Sequence, residues 1–431
     1  MQSPDVVNRD GPKRPTSQPR CIADTGRTFR HTVKQHTGVK PSRDGQPNFF
    51  KQTQFSPDGT SIVTHNADES LRTFVLPTDL LDTSVQPHEL QAYSTLPSAT
   101  NVQSYAIYPG FNLADPSTTL ILSAPRDLPL RLTNALDPSH VPATYSYINS
   151  STEAFIAPNS LTFIDGGTHF VAGSVGRIAV FDVTRQAGPE MYHNLKAKAG
   201  ATGMRETGRI MALSVSSDGL LAAGSTNRNV GIFGNSGRGA GETTFSVAGR
   251  AGEEGSTRGS GITSLAWTPD GRYLLVAERQ SDGVHVYDVR NLLRRVAFLS
   301  GRNAKTTQRM GIDVVATREG CEVWAGGVDG VVRMWSNPGS SEGDHLPDVE
   351  MKMHDDAVAS SVWHPSGTVL ATCSGQRTFA QVSTTGEASS SDSDSGPLSG
   401  DEQPPSRQPD NNLKIWDFAP NGLDALGDLA A

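Results

Sequence analysis

Between Arg290 and Ile312 the chain carries six Arg or Lys and no Asp or Glu over 23 residues, bracketed by Asp288 and Asp313. The molecule as a whole is acidic, with 431 residues and a net charge of −8. Inside the run, the string GRNAKTTQR places Arg302, Lys305 and Arg309 at short intervals, with Asn303, Thr306 and Gln308 set among them. Guanidinium and ammonium groups contact phosphates without reading sequence. Asn, Thr and Gln bond to base edges and ribose 2′-hydroxyls. These six residues are therefore candidates for RNA binding. The plainer reading is a solvated strand edge whose charge resists pairing with another chain. Further cations, Arg185, Lys196, Lys198, Arg205, Arg228 and Arg279, fall in other connections, and a suitable fold would bring them onto one face.

Any such surface is a local patch, because a pI near 5.8 excludes a protein coated in basic charge. No apolar run approaches the ~18 residues that span a bilayer, and the polar start MQSPDVVNRDGPKRP has no secretory core. Cys21, Cys321 and Cys373 are odd in number and widely spaced. They give neither a disulfide framework nor zinc spacing, so a reducing compartment is the default. No nucleophile–base pair in motif context, metal-ligand spacing or cofactor loop appears, so the expectation is a non-enzyme without cofactor or metal.

The elements that must position the basic run come from a repeat. FSPDG at 55–59 recurs in degenerate form as YPG (108–110), IDGG (164–167), SSDG (216–219), TPDG (268–271), REG (318–320) and HPSG (364–367). Pro presets one dihedral, Asp caps its own backbone and Gly takes positive φ, so each is a hairpin turn. Short apolar runs such as YLLVAE and LLAAGS follow the turns and read as strands. A second anchor, LKIWDF, VVRMWS, VHVYDV, IAVFDV, VGIFGN, LRTFVL or LRLTNA, comes some residues later. Asp410, Asp329, Asp68 and Asp127 lie six residues before its aromatic position, where a carboxylate can hold a turn backbone.

This pattern resembles the WD40 repeat, and seven units at regular spacing imply an all-β, seven-bladed propeller closed radially. One unit cannot bury both its faces alone. The predicted organisation is a disordered tail at 1–25, a propeller at 26–420 and a C-terminal tail at 421–431. A disordered, Ser-rich acidic insertion at 378–410 interrupts the last blade. Ser389, Ser391 and Ser399 there each precede an acid by three residues, which suits acidophilic phosphorylation. Residues 28–35 are the candidate outer strand of the last blade. The Gly-rich stretch 234–261, with Arg238, Arg250 and Arg258, reads as a flexible loop. Trp335, Trp416 and Tyr287 read as packing between blades, and His354 as a structural histidine.

GRNAKTTQR is also similar to a G-R-x-x-x-T-x-Q-R segment of the telomerase Cajal body protein family. FSPDGTSIVTHNADESLRTFVLP, APRDLPLRL and SGITSLAWTPDGRYLLVAERQSDGVHVYDVR agree in order. The chain resembles a distant, fungal-type member. The resemblance implies a non-enzymatic scaffold that binds small nuclear or guide RNA, with roles in ribonucleoprotein assembly, telomerase or splicing. It implies protein partners from such complexes, a monomeric state, no membrane, and a nuclear location (Cajal body included) with a cytoplasmic fraction. The competing reading is a protein-interaction scaffold without RNA contact. The functional reading requires that Arg302, Lys305 and Arg309 face outward.

Overall fold

In a computed structural model of the chain, residues 19–26, 29–30, 48–82, 86–195, 208–247, 259–291, 294–376 and 410–418 are described. Their strands form seven sheets, five of four antiparallel strands and two of five, in which the fifth strand pairs parallel with its neighbour. The innermost strands are Phe50–Phe55, Val102–Ile107, Ser160–Ile164, Ile210–Val215, Ile262–Trp267, Ile312–Thr317 and Val358–Trp363, one per blade. They surround a polar axial channel of about 310 Å³. The chain is a seven-bladed β-propeller.

The second strand of each blade is the most deeply buried, because sheets pack on both its faces. All six residues of Ser61–Asn66 and of Val369–Ser374 are buried. The short apolar runs after each turn are these strands. Cores fill the gaps between neighbouring blades: Tyr145, Phe170 and Phe181 between blades two and three, and Trp324, Trp363 and Leu370 between six and seven. Trp335 and Tyr287 are buried, and Trp416 packs against the same core as Trp324.

The SPDG-type turns join first to second strands, so all lie on one end of the ring. Asp58 accepts from the Ser56 hydroxyl and the Thr60 amide, then reaches across to the Leu113 amide of blade two at 2.7 Å. Gly59 has φ +74, and a Cβ there would meet His364 Nε2 of blade seven at 2.2 Å. Glycine is therefore required both by the turn and by the blade beside it. The connections from second to third and from fourth to first strands lie on the opposite end, called here the loop face.

The ring closes through the N-terminal segment. Arg20–Asp24 is the outer strand of blade seven and pairs antiparallel with Leu413–Asp417, Cys21 opposite Trp416 and Asp24 opposite Lys414. The predicted donor was 28–35. The N-terminal origin is right but the strand lies eight residues earlier, inside the stretch expected to be a tail. It buries the adjacent Ile22 and Ala23 in the core shared with blade one. Of 28–35, only Phe29 and Arg30 are among the described residues. The Gly-rich loop also holds more structure than expected. Gly241–Ser246 is the outer strand of blade four, pairing antiparallel with Asn229–Phe233. Arg294–Leu299 is the fourth strand of blade five. The insertion expected at 378–410 lies, but for Asp410, outside the described residues, as do the C-terminal tail from 421, residues 1–18, Arg250 and Arg258.

Ile22 is 3% exposed in the core shared by blades seven and one. Ile22→Ala should destabilise the chain by about 2–4 kcal/mol, read from urea-induced unfolding. An unchanged unfolding midpoint would remove this strand from the closure.

Candidate nucleic-acid interface

GRNAKTTQR is the connection from the outer strand of blade five to the inner strand of blade six, on the loop face. Backbone bonds pin it along its length. Arg302 N–H donates to Asp282 O at 2.8 Å, and Asn303 N–H to the Asp282 carboxylate at 3.0 Å. Val328 N–H donates to Asn303 O, and Gln280 N–H to Thr306 O. Gly301 and Asn303 take positive φ, +81 and +55, to make these bends.

Its cations do not all face outward. Arg302 is fully buried, donates from Nη2 to Gly311 O at 2.9 Å, and leaves Nε and Nη1 without a partner. Burial pulls its pKa down to about 10. Arg309 turns into the mouth of the axial channel. Its guanidinium donates to Met211 O at 2.7 Å, Thr263 O at 3.3 Å and Asn159 O at 3.4 Å, one carbonyl each from blades four, five and three. Burial, then the charge of Arg279, pulls its pKa down to about 10. Gln308 Nε2 donates to Gly375 O of blade seven at 3.1 Å. The outward orientation required above is therefore corrected for Arg302 and Arg309. Planar guanidinium groups satisfy strand-end carbonyls that the channel would otherwise leave bare. Of the six predicted residues only Lys305 is exposed, and it has no ion pair among the described residues.

The rest of the acid-free run is compensated from elsewhere in space. Arg290 pairs with Asp288, and Arg294 with Glu342. Among the scattered cations, Arg228 makes a two-point contact with Glu278 at 2.7 and 2.9 Å, and Arg238 pairs with Asp165. Lys196, Lys198 and Arg205 lie outside the described residues. Arg279 is different. It follows the second strand of blade five, and its Nε is buried without a partner. Burial, then the neighbouring charge of Arg209, lowers its pKa. Among the described residues neither Arg209 nor Arg279 faces a carboxylate. The sequence reading missed Arg209. Its signal was position: it immediately precedes an inner strand, as the basic run does, and so lies on the same face.

The turn aspartates behave as their spacing predicts in three cases. Asp329 accepts from Val331 N–H and Arg333, Asp68 from Ser70 N–H and Arg72, and Asp410 from Asp355 N–H at 2.6 Å. Blade seven completes a chain in which Trp416 Nε1 donates to Thr372 Oγ1 at 2.8 Å and His354 Nε2 contacts the same hydroxyl at 2.7 Å. His354 Nδ1 faces Asp410 at 3.6 Å. Burial would raise the Asp410 carboxyl, but His354 and the Asp355 amide hold it at about 2. Asp127 departs from the pattern: it is exposed at φ +60, and among the described residues only Arg126, at 3.7 Å, pairs with it. At the other end of the third strand of blade two, Asn134 Oδ1 accepts from the Leu136 and Asp137 amides. Among the described residues no group of three or more His, Cys, Asp or Glu is arranged to hold a metal ion.

The family model "WD domain, G-beta repeat" matches residues 253–288 and 348–379; their described strands belong to blade five and to the outer strand of blade six with the first two strands of blade seven. The propeller carries WD40 repeats. The repeat protein is 29% identical over 69% of its length to Guanine nucleotide-binding protein negative regulator 1 of Schizosaccharomyces pombe, covering 73% of that protein. It is 27% identical over 79% of its length to Telomerase Cajal body protein 1 of Bos taurus and of Homo sapiens, covering 60% and 59% of those proteins. The chain therefore spans about three-fifths of the length of these two Cajal body relatives and is a distant relative of them.

Arg309→Met removes donors from three blades at once and should destabilise the propeller by about 1–3 kcal/mol, whereas Arg302→Met, which replaces a lone buried cation by an apolar chain, should cost less. Thermal unfolding of the two variants checks the order. Asp313, in the channel wall, accepts from Trp363 N–H at 2.7 Å and Val314 N–H at 2.9 Å, yet burial pushes its pKa up to about 6. A raised carboxyl is protonated in the folded state where the unfolded chain is already ionised. Its contribution is thus complete below pH ~4 and lost as pH rises through ~6. Asp313→Asn should flatten the fall of the unfolding midpoint over that window; an unaltered profile would exclude Asp313 as its source.

Proposed function

We propose that this chain is a non-enzymatic scaffold that binds a small nuclear or guide RNA and assembles or localises a ribonucleoprotein in the nucleus. The observation that carries the reading is uncompensated charge. On an acidic protein, the loop face holds Arg209 and Arg279 with no carboxylate partner among the described residues, beside Arg309 at the channel mouth. Clustered guanidinium groups are unfavourable unless an anion completes them, and RNA supplies phosphates at regular spacing. The names of the Cajal body relatives support the same compartment and a link to telomerase. Contact through Lys305, with Asn303, Thr306 and Gln308 at its sides, belongs to this proposal. Arg302 and Arg309 enter it as the groups that hold the loop, so their removal acts through the fold.

A second reading is favoured by that same internal commitment of Arg302 and Arg309. A propeller whose basic loop is structural is equally suited to bind proteins, and the Schizosaccharomyces relative is named for a guanine nucleotide-binding protein. The two separate by experiment. Native protein crosslinked in cells should retain a discrete set of small RNAs, identified by sequencing, and capture should fall steeply with salt. A purified complex that survives nuclease unchanged and yields no RNA would leave the protein scaffold.

A further inference from the structure

The loop face carries a cleft of about 500 Å³ whose wall includes Gln103, Arg126, Phe155, Asn159, Arg209 and Arg279. It spans the connections of blades two to five, and four observations single it out. The first is rigidity of the cationic backbone. Arg209 is bridged to Val175, donates N–H to Thr226 Oγ1 at 3.1 Å and accepts Thr226 N–H at 2.9 Å. Arg279 N–H donates to Gly261 O at 2.9 Å, and its carbonyl accepts Ser260 N–H at 3.0 Å. The second is charge. Arg209 and Arg279 are close enough to repel and have no carboxylate among the described residues. Asp127, the acid on the wall, is directed to Arg126 at the rim. The third is the floor. Asn159 and Met211 line the cleft, and their carbonyls are those that Arg309 holds from beneath. A third guanidinium, which feels the charge of Arg279, thus adds positive potential beside the cleft. The fourth is Phe155, half-buried on the wall, with no ring partner among the described residues.

Guanidinium groups beside an unengaged aromatic face are what a nucleotide requires, the first for phosphate and the second for the base. The volume suits one nucleotide, not a duplex. Gln103 and Asn159, bonded to each other at 3.2 Å, add an amide pair at the base edge. We propose that this cleft is a single-nucleotide site for an unpaired RNA strand, with phosphate on Arg209 and Arg279 and the base against Phe155. The proposal rests on the RNA-binding reading above and names its site.

The test uses the full chain, a fluorescently labelled single-stranded oligoribonucleotide and fluorescence anisotropy across a salt series. Arg209→Gln with Arg279→Gln should weaken binding at least ~10-fold and make the dependence of log affinity on log salt shallower by about 1.4, the loss of two single-strand phosphate contacts. Phe155→Leu should weaken binding about 5- to 30-fold with the salt dependence unchanged. Neither change touches a buried core side chain, and an unfolding midpoint matching the wild type confirms that the ring is intact. If the wild type binds and the double variant binds equally at every salt concentration, the cleft is overturned while the RNA reading stands. If the wild type binds neither the oligonucleotide nor cellular RNA, both fall. Capture of a phosphoserine peptide by the same arginines, without the oligonucleotide, overturns the nucleotide site in favour of a protein ligand.

Discussion

The structure depends on one pairing, that of Arg20–Asp24 with Leu413–Asp417. A blade has two apolar faces and no means of burying both, so seven blades are stable only as a closed ring. Covalent continuity joins six of the seven seams. The last is joined by hydrogen bonds between the two ends of the chain and by Ile22 and Ala23 packing with Phe50, Phe74 and Val369. Once it closes, each inner strand is held at a set distance from the axis, and residues hundreds apart in sequence become neighbours across the channel.

That geometry decides what Arg309 does. Inner strands end at the loop face with carbonyl groups that no neighbouring strand satisfies. A guanidinium, with five donors in one plane, can bond to several at once. Arg309 bonds to carbonyls of three blades, and Gln308 to a fourth. A carboxylate nearby would compete for those donors. The scarcity of acid in this stretch is thus consistent with a clasp over the channel, whereas a surface meant only for solvent would tolerate mixed charge. Arg302 goes further, fully buried against one carbonyl, where the lowered pKa reflects lost hydration.

Elsewhere buried charge is matched pair by pair. Glu278 sits beneath Arg228 of the preceding blade and His285 of its own, and these bonds overcome the burial that would raise its pKa. Asp329 and Asp68 each take an arginine four residues on. Against this background of compensation, Arg209 and Arg279 lie close together with no carboxylate partner among the described residues.

Sequence alone determined the ring. Turn chemistry at FSPDG and its six echoes, the apolar runs behind them and the aspartates six residues before the aromatic anchors are local signals, legible because each acts within one hairpin. What sequence left undecided is everything set by contacts between distant segments. It could place GRNAKTTQR on a connection but not tell an outward arginine from one bonded to Asn159, 150 residues away. It pointed to 28–35 for closure because the choice between two nearby polar segments is made by the partner strand. It passed over Arg209 because an isolated arginine has no pattern until the ring sets it beside Arg279. Periodicity encodes which face of a strand is buried; only closure of the ring decides which charges meet.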